Sequence, residues 1–154
     1  MDNKKLKIEV IKYSEQFDKE WDQFVLSSNN GTIFHLRKFL SYHIDRKFND
    51  NSLVFMKNKE IIAVLPAALT KNSKRKMLHS HPGASYGGLV YKKLSFIYCD
   101  LILRALNEYC LSNKISSFFL VPTPQLYYNN YNENLLYAML HNKYTIQESY
   151  ISSI

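Results

Sequence analysis

The chain has 154 residues, a hydrophobic fraction of 46% and a formal net charge of +7 at pH 7. A chain of this length buries about 68–70% of its unfolded surface, so the composition excludes a disordered chain and predicts one domain over residues 1–154. Charges interrupt the N-terminal stretch, and no segment approaches about 20 consecutive apolar residues. We therefore expect no secretory signal, no membrane span and a cytoplasmic location.

The first third of the chain predicts a strand followed by two helices. LKIEVIKY, residues 6–13, alternates apolar and polar side chains as a strand does. Ser14 is placed to cap a helix over residues 15–28, and NNG, ending at Gly31, stops that helix. A second helix is predicted over residues 35–48. The apolar stripe of the first helix consists of Phe17, Trp21, Phe24 and Val25.

Hairpins are predicted in the middle of the chain. A strand over residues 53–56 returns through a turn containing Asn58 into a strand over 61–69, and Pro66 inside the second strand predicts an edge position or a bulge. The basic run KNSKRK, residues 71–76, then favours a solvated turn, with contact to a nucleic acid as the alternative. Short strands are expected at 77–80 and 89–91.

The last third begins with a strongly apolar helix over residues 94–111. Cys99 and Cys110 share one face of this helix at about 16 Å along its axis, too far apart for a disulfide. We expect two buried thiols in a reducing compartment. The apolar face is formed by Ile97, Leu101, Ile102, Ala105, Leu106 and Tyr109.

Three further elements complete the chain. A buried strand is predicted over residues 115–122, a short helix over 133–140 and an alternating final strand over 143–151. A strand at that place needs a partner within the domain, in another chain or in a continuation of this one.

The common catalytic signatures are absent from the sequence. There is no G-x-S-x-G, no G-x-x-x-x-G-K-[ST], no H-E-x-x-H and no C-x-x-C. His79 and His81 of HSH can lie on one face of a strand, but the sequence shows no third ligand. We therefore predict no metal site.

The stretch HPGASYGGLV, residues 81–90, holds three of the four glycines in the chain. Glycines after a strand permit positive φ angles and the close approach of a ligand or of another backbone, and consecutive N–H groups there can bind an anion. The alternative is a tight structural crossover. Ser80, His81, Ser85 and Tyr86 are the side chains expected to face a pocket at this loop.

Four segments together resemble the N-terminal lobe of Fem-type and related acyltransferases of the GNAT superfamily. They are WDQFVLSSNNGTIFHLRKFLSYH, AVLPAAL, HPGASYGGLV and FFLVPTP, in this order. The resemblance implies an α+β fold with a mostly antiparallel central sheet flanked by helices. It also implies transfer of an acyl or aminoacyl group from acyl-CoA or aminoacyl-tRNA to a small-molecule or peptide amine. The chain corresponds to the first of two lobes and lacks the R/Q-x-x-G-x-G/A phosphate loop.

Residue types suggest roles within this resemblance. His43 and His81 are candidate bases or acceptor contacts, and Tyr86 is a candidate hydroxyl donor. Arg37 is a candidate for holding a phosphate or carboxylate. The candidate substrate-binding residues of the loop are Gly83, Ser85, Gly87 and Gly88. Each residue also has an ordinary structural interpretation.

Two partners and one alternative function complete the expectations. We expect a second GNAT-like lobe or a homodimer partner, and contact with a nucleic acid only if tRNA is the donor. The alternative is a non-enzymatic module that binds tRNA or other RNA through its positive charge and aromatic residues.

Overall fold

The computed structural model describes residues 7–42, 48–72, 75–80 and 82–149. Strands and helices alternate along these ranges in a mixed order, as the α+β prediction requires. The strands are β1 (Glu9–Lys12), β2 (Leu53–Lys57), β3 (Glu60–Leu65), β4 (Ala67–Asn72), β5 (Arg75–Ser80), β6 (Val90–Tyr91) and β7 (Ser117–Phe119). The α-helices are α1 (Asp18–Leu26), α2 (Arg37–Leu40), α3 (Phe96–Ser112) and α4 (Asn134–His141). Single 3-10 turns lie at Glu15–Phe17, Ile33–His35 and Gln125–Tyr127.

The strands form two connected sheets of mostly antiparallel pairs. One has the order β1-β2-β3-β6 and the other β4-β5-β7, and only β5 and β7 are paired in parallel. Pro66 separates β3 from β4 because proline has no N–H to contribute to the ladder. Asn58 and Lys59 adopt positive φ angles of 50° and 67° in the turn between β2 and β3, as a two-residue hairpin turn requires. The predicted fold class is confirmed.

The glycine loop, residues 82–89, is an insertion between β5 and β6, which pair with β4 and β3 respectively. Ala67 pairs with Ser80, and Val64 pairs with Val90. Nine residues separate Ser80 from Val90 along the chain, whereas only Leu65 and Pro66 separate Val64 from Ala67. Pro66 therefore lies at a break between β3 and β4, opposite the inserted loop, and not at a bulge within one strand over residues 61–69.

Helices cover both faces of the sheet. Leu53 and Leu65 pack with α3 and α4 on one face, and Val54 and Val64 pack with α1 and α2 on the other. Cys99 and Cys110 are buried and free, as predicted, and burial raises the pKa of each thiol to about 11. No helix in the described ranges is both long and apolar enough to cross a membrane.

Two elements differ from the sequence prediction. The second helix ends at Leu40, with Ser41 as its C-cap, instead of extending over residues 35–48; residues 43–47 lie outside the described part. The final strand is wrong for residues 144–149, which form no strand. The Tyr144 N–H donates to the Met139 carbonyl at 3.1 Å, and its ring lies 5.1 Å from that of Phe118. This segment therefore packs onto β7 instead of pairing with it.

Smaller differences concern burial and length. Ile97 is 59% exposed although the sequence places it on the apolar face of α3, whereas Leu103 is completely buried. The buried side of this helix is therefore rotated toward Leu103. The predicted buried strand at residues 115–122 contracts to the half-exposed strand β7.

Candidate functional site

Two loops meet at the carboxyl ends of the parallel strands β5 and β7. Ser80 ends β5, and its Oγ accepts a hydrogen bond of 2.7 Å from the Val121 N–H. The Val121 carbonyl in turn accepts the Gly87 N–H at 2.8 Å, and Gly87 forms a parallel bridge with Pro122. Crevices outside the carboxyl ends of parallel strands are the usual ligand sites of open sheets, which makes this edge the candidate site.

Asn30 joins the segment after α1 to both of these loops. Its side chain donates to the Leu89 carbonyl at 2.8 Å and accepts the Tyr91 N–H at 3.0 Å. The Asn30 carbonyl accepts the Thr123 hydroxyl at 3.0 Å. Asn30 is 1% exposed. Its side-chain amide therefore supplies hydrogen bonds to a buried backbone carbonyl and a buried backbone N–H, as a neighbouring strand would.

The His35 imidazole holds the glycine loop in place. Its Nδ1 accepts the Thr32 N–H at 3.0 Å; because a backbone N–H only donates, the proton of the neutral ring lies on Nε2. Nε2 then donates to the Gly87 carbonyl at 2.9 Å. Burial lowers the pKa of His35 below its ordinary value of 6.5. Both ring nitrogens are engaged, so His35 positions the loop and does not carry protons.

An aromatic cluster covers the outer side of this junction. The Tyr86 ring lies 4.9 Å from Phe34 in an edge-to-face contact and 5.8 Å from Tyr127 in a stacked one. Phe39 extends the cluster, since its ring lies 4.9 Å from that of Phe34. Tyr127 is 53% exposed. The cluster of Phe34, Phe39, Tyr86 and Tyr127 therefore offers an accessible apolar surface beside polar backbone.

The two halves of the glycine loop have different surroundings. Gly83 and Ser85 are exposed, whereas Gly87 and Gly88 are buried. Gly88 has a φ of +74°, and a Cβ there would lie 2.9 Å from Cα of Pro122. Only glycine fits such a position. The second half is thus a packed crossover, and the first half is the part open to a ligand.

Arg37 lies in a different environment. Its guanidinium pairs with the Asp50 carboxylate, donates to Ser52 Oγ at 3.3 Å and stacks 3.5 Å from the centre of the Tyr13 ring. Burial raises the pKa of Asp50, but hydrogen bonds from Ser52 and Arg37 outweigh it and hold the pKa below its ordinary value of 3.8. No contact among the described residues joins Arg37 to the glycine loop.

The structure thus brings together Tyr86, Gly87 and Gly88 and leaves Gly83 and Ser85 at the rim. His43 and His81 lie outside the described residues, so their roles stay predictions, as does anion binding by Arg37. Sequence reasoning missed the contributions of Asn30, Thr123, Phe34, Tyr127 and His35. One signal for His35 was available, because Thr32 and His35 have the three-residue spacing of a reciprocal cap, which the structure forms.

An open depression of about 580 Å³ is lined by Lys12, Tyr13, Ser14, Glu15, Gln16 and Asp50. It lies beside the end of β1, contains no residue of the glycine loop or of the segment after β7, and has charges of both signs. In the described ranges, no three His, Cys, Asp or Glu side chains are grouped so that they could hold a metal ion.

Solved structures resemble this chain, whereas no family model and no curated protein matches its sequence. FemX has a TM-score of 0.62 at 15% identity, over 87% of this chain and 31% of its own. A possible acetyltransferase from Clostridium difficile 630 has a TM-score of 0.55 at 13% identity, over 96% and 97% of the two chains. An aminoglycoside acetyltransferase, meta-AAC0020, from an uncultured soil metagenomic sample in complex with sisomicin has a TM-score of 0.50 at 11% identity, over 96% and 93%.

These likenesses show the fold. The chain has the GNAT-like fold that its sequence predicted, and it spans nearly the whole of two of these proteins but about a third of FemX.

Proposed function

We propose that this chain is a GNAT-type N-acyltransferase domain that transfers an acyl or aminoacyl group to an amine, as the substrate-binding half of a two-lobe enzyme. The observation that carries the proposal is the meeting of three segments at the carboxyl ends of β5 and β7. They are the Ile33–His35 turn, the glycine loop and the segment from Val121 to Tyr127. His35, Asn30 and Ser80 fix them by hydrogen bonds, which supports a preorganised binding surface.

The acceptor binds, in this proposal, on the aromatic cluster and the open half of the glycine loop. The exposed face of Tyr127 contacts the apolar or ring portion of the substrate, and the hydroxyls of Tyr86 and Ser85 supply polar contacts. Such a mixture of aromatic surface and a few polar groups is typical of small-molecule sites. A small-molecule or peptide amine is the acceptor.

The donor is acyl-CoA or aminoacyl-tRNA, which supplies an activated carbonyl. Its phosphates do not fit the packed half of the glycine loop, because Val121 already accepts the Gly87 N–H and Gly88 packs against Pro122. The start of α3 fits them better: Lys92 and Lys93 are exposed there, and no side chain caps the first N–H groups of this helix. The absence of a phosphate cradle in the loop supports the role of a substrate-binding half.

Calorimetric titration with acetyl-CoA at low and high salt tests this function, together with release of the CoA thiol in the presence of sisomicin as a primary-amine probe. We expect saturable binding that high salt weakens only moderately, with thiol release only if this half suffices for catalysis. Absence of binding by both acetyl-CoA and sisomicin would contradict a substrate-binding half.

A titration with tRNA at the same two salt concentrations tests the RNA-binding alternative. The formal charge of +7 favours an anionic partner. Affinity for tRNA that falls steeply with salt, together with no response to acetyl-CoA, would favour that alternative.

A further inference from the structure

Four residues on neighbouring strands lie side by side in a row across the sheet, close to the start of the glycine loop. Asp50 pairs with Ala68, Ala68 with His79, and His79 with Phe119. Directly opposed residues project from the same face of a sheet. Asp50 is paired with Arg37 of α2, so the row lies on the face that α1 and α2 cover.

The His79 ring lies in an apolar environment. It stacks on Phe119 with a centroid distance of 5.1 Å and an interplanar angle of 15°. Its Nδ1 is buried and has no hydrogen-bond partner, and none of the described residues hydrogen-bonds Nε2. Burial lowers the pKa of His79 below 6.5, so the ring is neutral near pH 7. A ligand that reaches this partly exposed ring therefore meets Nε2.

The position of His79 connects it with the candidate site. Its neighbour across the strands, Phe119, is two residues before Val121, about 7 Å along the strand. Val121 is the residue whose carbonyl holds the Gly87 N–H and whose own N–H is held by Ser80. His79 thus lies beside the junction, one residue before Ser80 and directly across from Phe119.

We propose that His79 is the proton acceptor of this site and that it receives a proton from the acceptor amine. The inference rests on the proposed acyltransferase function. The neutral amine nitrogen forms a bond to the donor carbonyl carbon, and Nε2 takes the proton that this nitrogen loses. The carbon–sulfur or carbon–oxygen bond of the donor breaks, and the imidazolium returns the proton to the departing thiolate or alkoxide. Atoms and charge balance without a further reactant.

The surroundings of His79 carry little charge. β4 contributes Ala68 and Thr70 to this face, and β7 contributes Ser117 and Phe119; none of these titrates. Asp50, two strands away at about 10 Å, is paired with Arg37. His81 lies outside the described residues. Among the described groups, burial alone determines the direction in which the pKa of His79 moves.

The test combines a binding readout with a rate. NMR of the ring Cε1–H groups follows His79 in the unaltered chain as pH is varied, and then as sisomicin is added. The rate of CoA thiol release from acetyl-CoA is measured for the chain, for His79→Gln and for His141→Gln, an exposed histidine of α4. The ring titration uses the unaltered chain, so it does not depend on how well a variant folds.

The proposal expects His79 to titrate below pH 6.5 and to shift on addition of sisomicin. It also expects His79→Gln to slow thiol release by at least about 100-fold, with loss of the acidic limb of the rate profile, while His141→Gln stays within about twofold. Shifts elsewhere in the chain without a shift of His79, or an unchanged rate in His79→Gln, would overturn the role of His79 and leave the function standing. No response to sisomicin or acetyl-CoA anywhere would overturn the function, and the role of His79 with it.

Discussion

The face of the sheet that α1 and α2 cover has two ends with different surroundings. At one end, Val54, Val64 and Val90 are completely buried beneath Trp21 and its neighbours. At the other end, His79 and Phe119 stack on each other and are only partly buried. Strands β2, β3 and β6 thus supply a sealed core, whereas β5 and β7 supply a more accessible surface. This difference in burial separates residues that stabilise the fold from residues that the proposed site can use.

The largest effect is expected at the sealed end. Trp21 is completely buried, and its Nε1–H donates to the His35 carbonyl at 2.8 Å. Trp21→Ala removes this contact and leaves a cavity, so the free energy of unfolding should fall by about 3–5 kcal/mol. Leu26→Ala is the matched control, because Leu26 lies on the same helix and is 75% exposed; it should change the free energy by no more than about 0.5 kcal/mol. Urea unfolding followed by circular dichroism measures both changes. Equal losses of unfolding free energy would contradict the complete burial of Trp21.

A smaller effect should distinguish the two halves of the glycine loop. Gly83 and Gly88 both have positive φ angles, 97° and 74°. Alanine at either position costs about 1–2 kcal/mol for the left-handed backbone. At Gly88 the new Cβ also meets Cα of Pro122 at 2.9 Å, which adds about 1–3 kcal/mol of overpacking. Equal unfolding free energies for Gly83→Ala and Gly88→Ala would show that the second half is not packed.

The dependence of stability on pH tests whether His35 and His79 are shielded from solvent in the folded chain. Burial lowers the pKa values of His35 and His79 below 6.5, the value expected in the unfolded chain. Below pH 6.5 the unfolded chain binds protons that the folded chain does not, so the free energy of unfolding falls as pH decreases from 6.5 to the lowered pKa values. Each histidine contributes up to about 1.4 kcal/mol per pH unit within that window.

Urea unfolding of the chain and of His79→Gln from pH 7.5 to 5 measures these slopes. Asp50 and Asp100 have lowered pKa values and lose their contribution only below their ordinary value of 3.8, outside this window. We expect His79→Gln to have a shallower slope than the unaltered chain. Identical slopes would mean that His79 is solvated in the folded protein.

Local patterns predicted the elements whose signal lies within one segment. The helix α3, the buried thiols Cys99 and Cys110 and the turn at Asn58 all follow from periodicity or from a residue's own backbone preference. The C-terminal strand failed because alternation of side chains does not say whether a partner edge is in reach. Tyr144 instead packs against Phe118 after a turn at the end of α4.

The site was predicted only in outline, because its contacts join distant parts of the sequence. His35 is bound to Gly87, 52 residues away, and Thr123 to Asn30, 93 residues away. The glycine-rich stretch correctly indicated a shaped loop, but no local pattern shows which polar side chain holds it. In the same way, the pairing of Arg37 with Asp50 needs the sheet to form before the two residues meet.

The most direct test of where the candidate site lies is a map of backbone amide shifts in the isotope-labelled chain on addition of acetyl-CoA and sisomicin. We predict that the shifted amides cluster in residues 33–39, 79–80, 83–88 and 119–127, where the loops meet at the carboxyl ends of β5 and β7, and in residues 92–98 at the start of α3, where the donor phosphates are proposed to bind. Shifts confined to residues 12–16 around the depression beside β1, or to the exposed side of α4, would contradict this site.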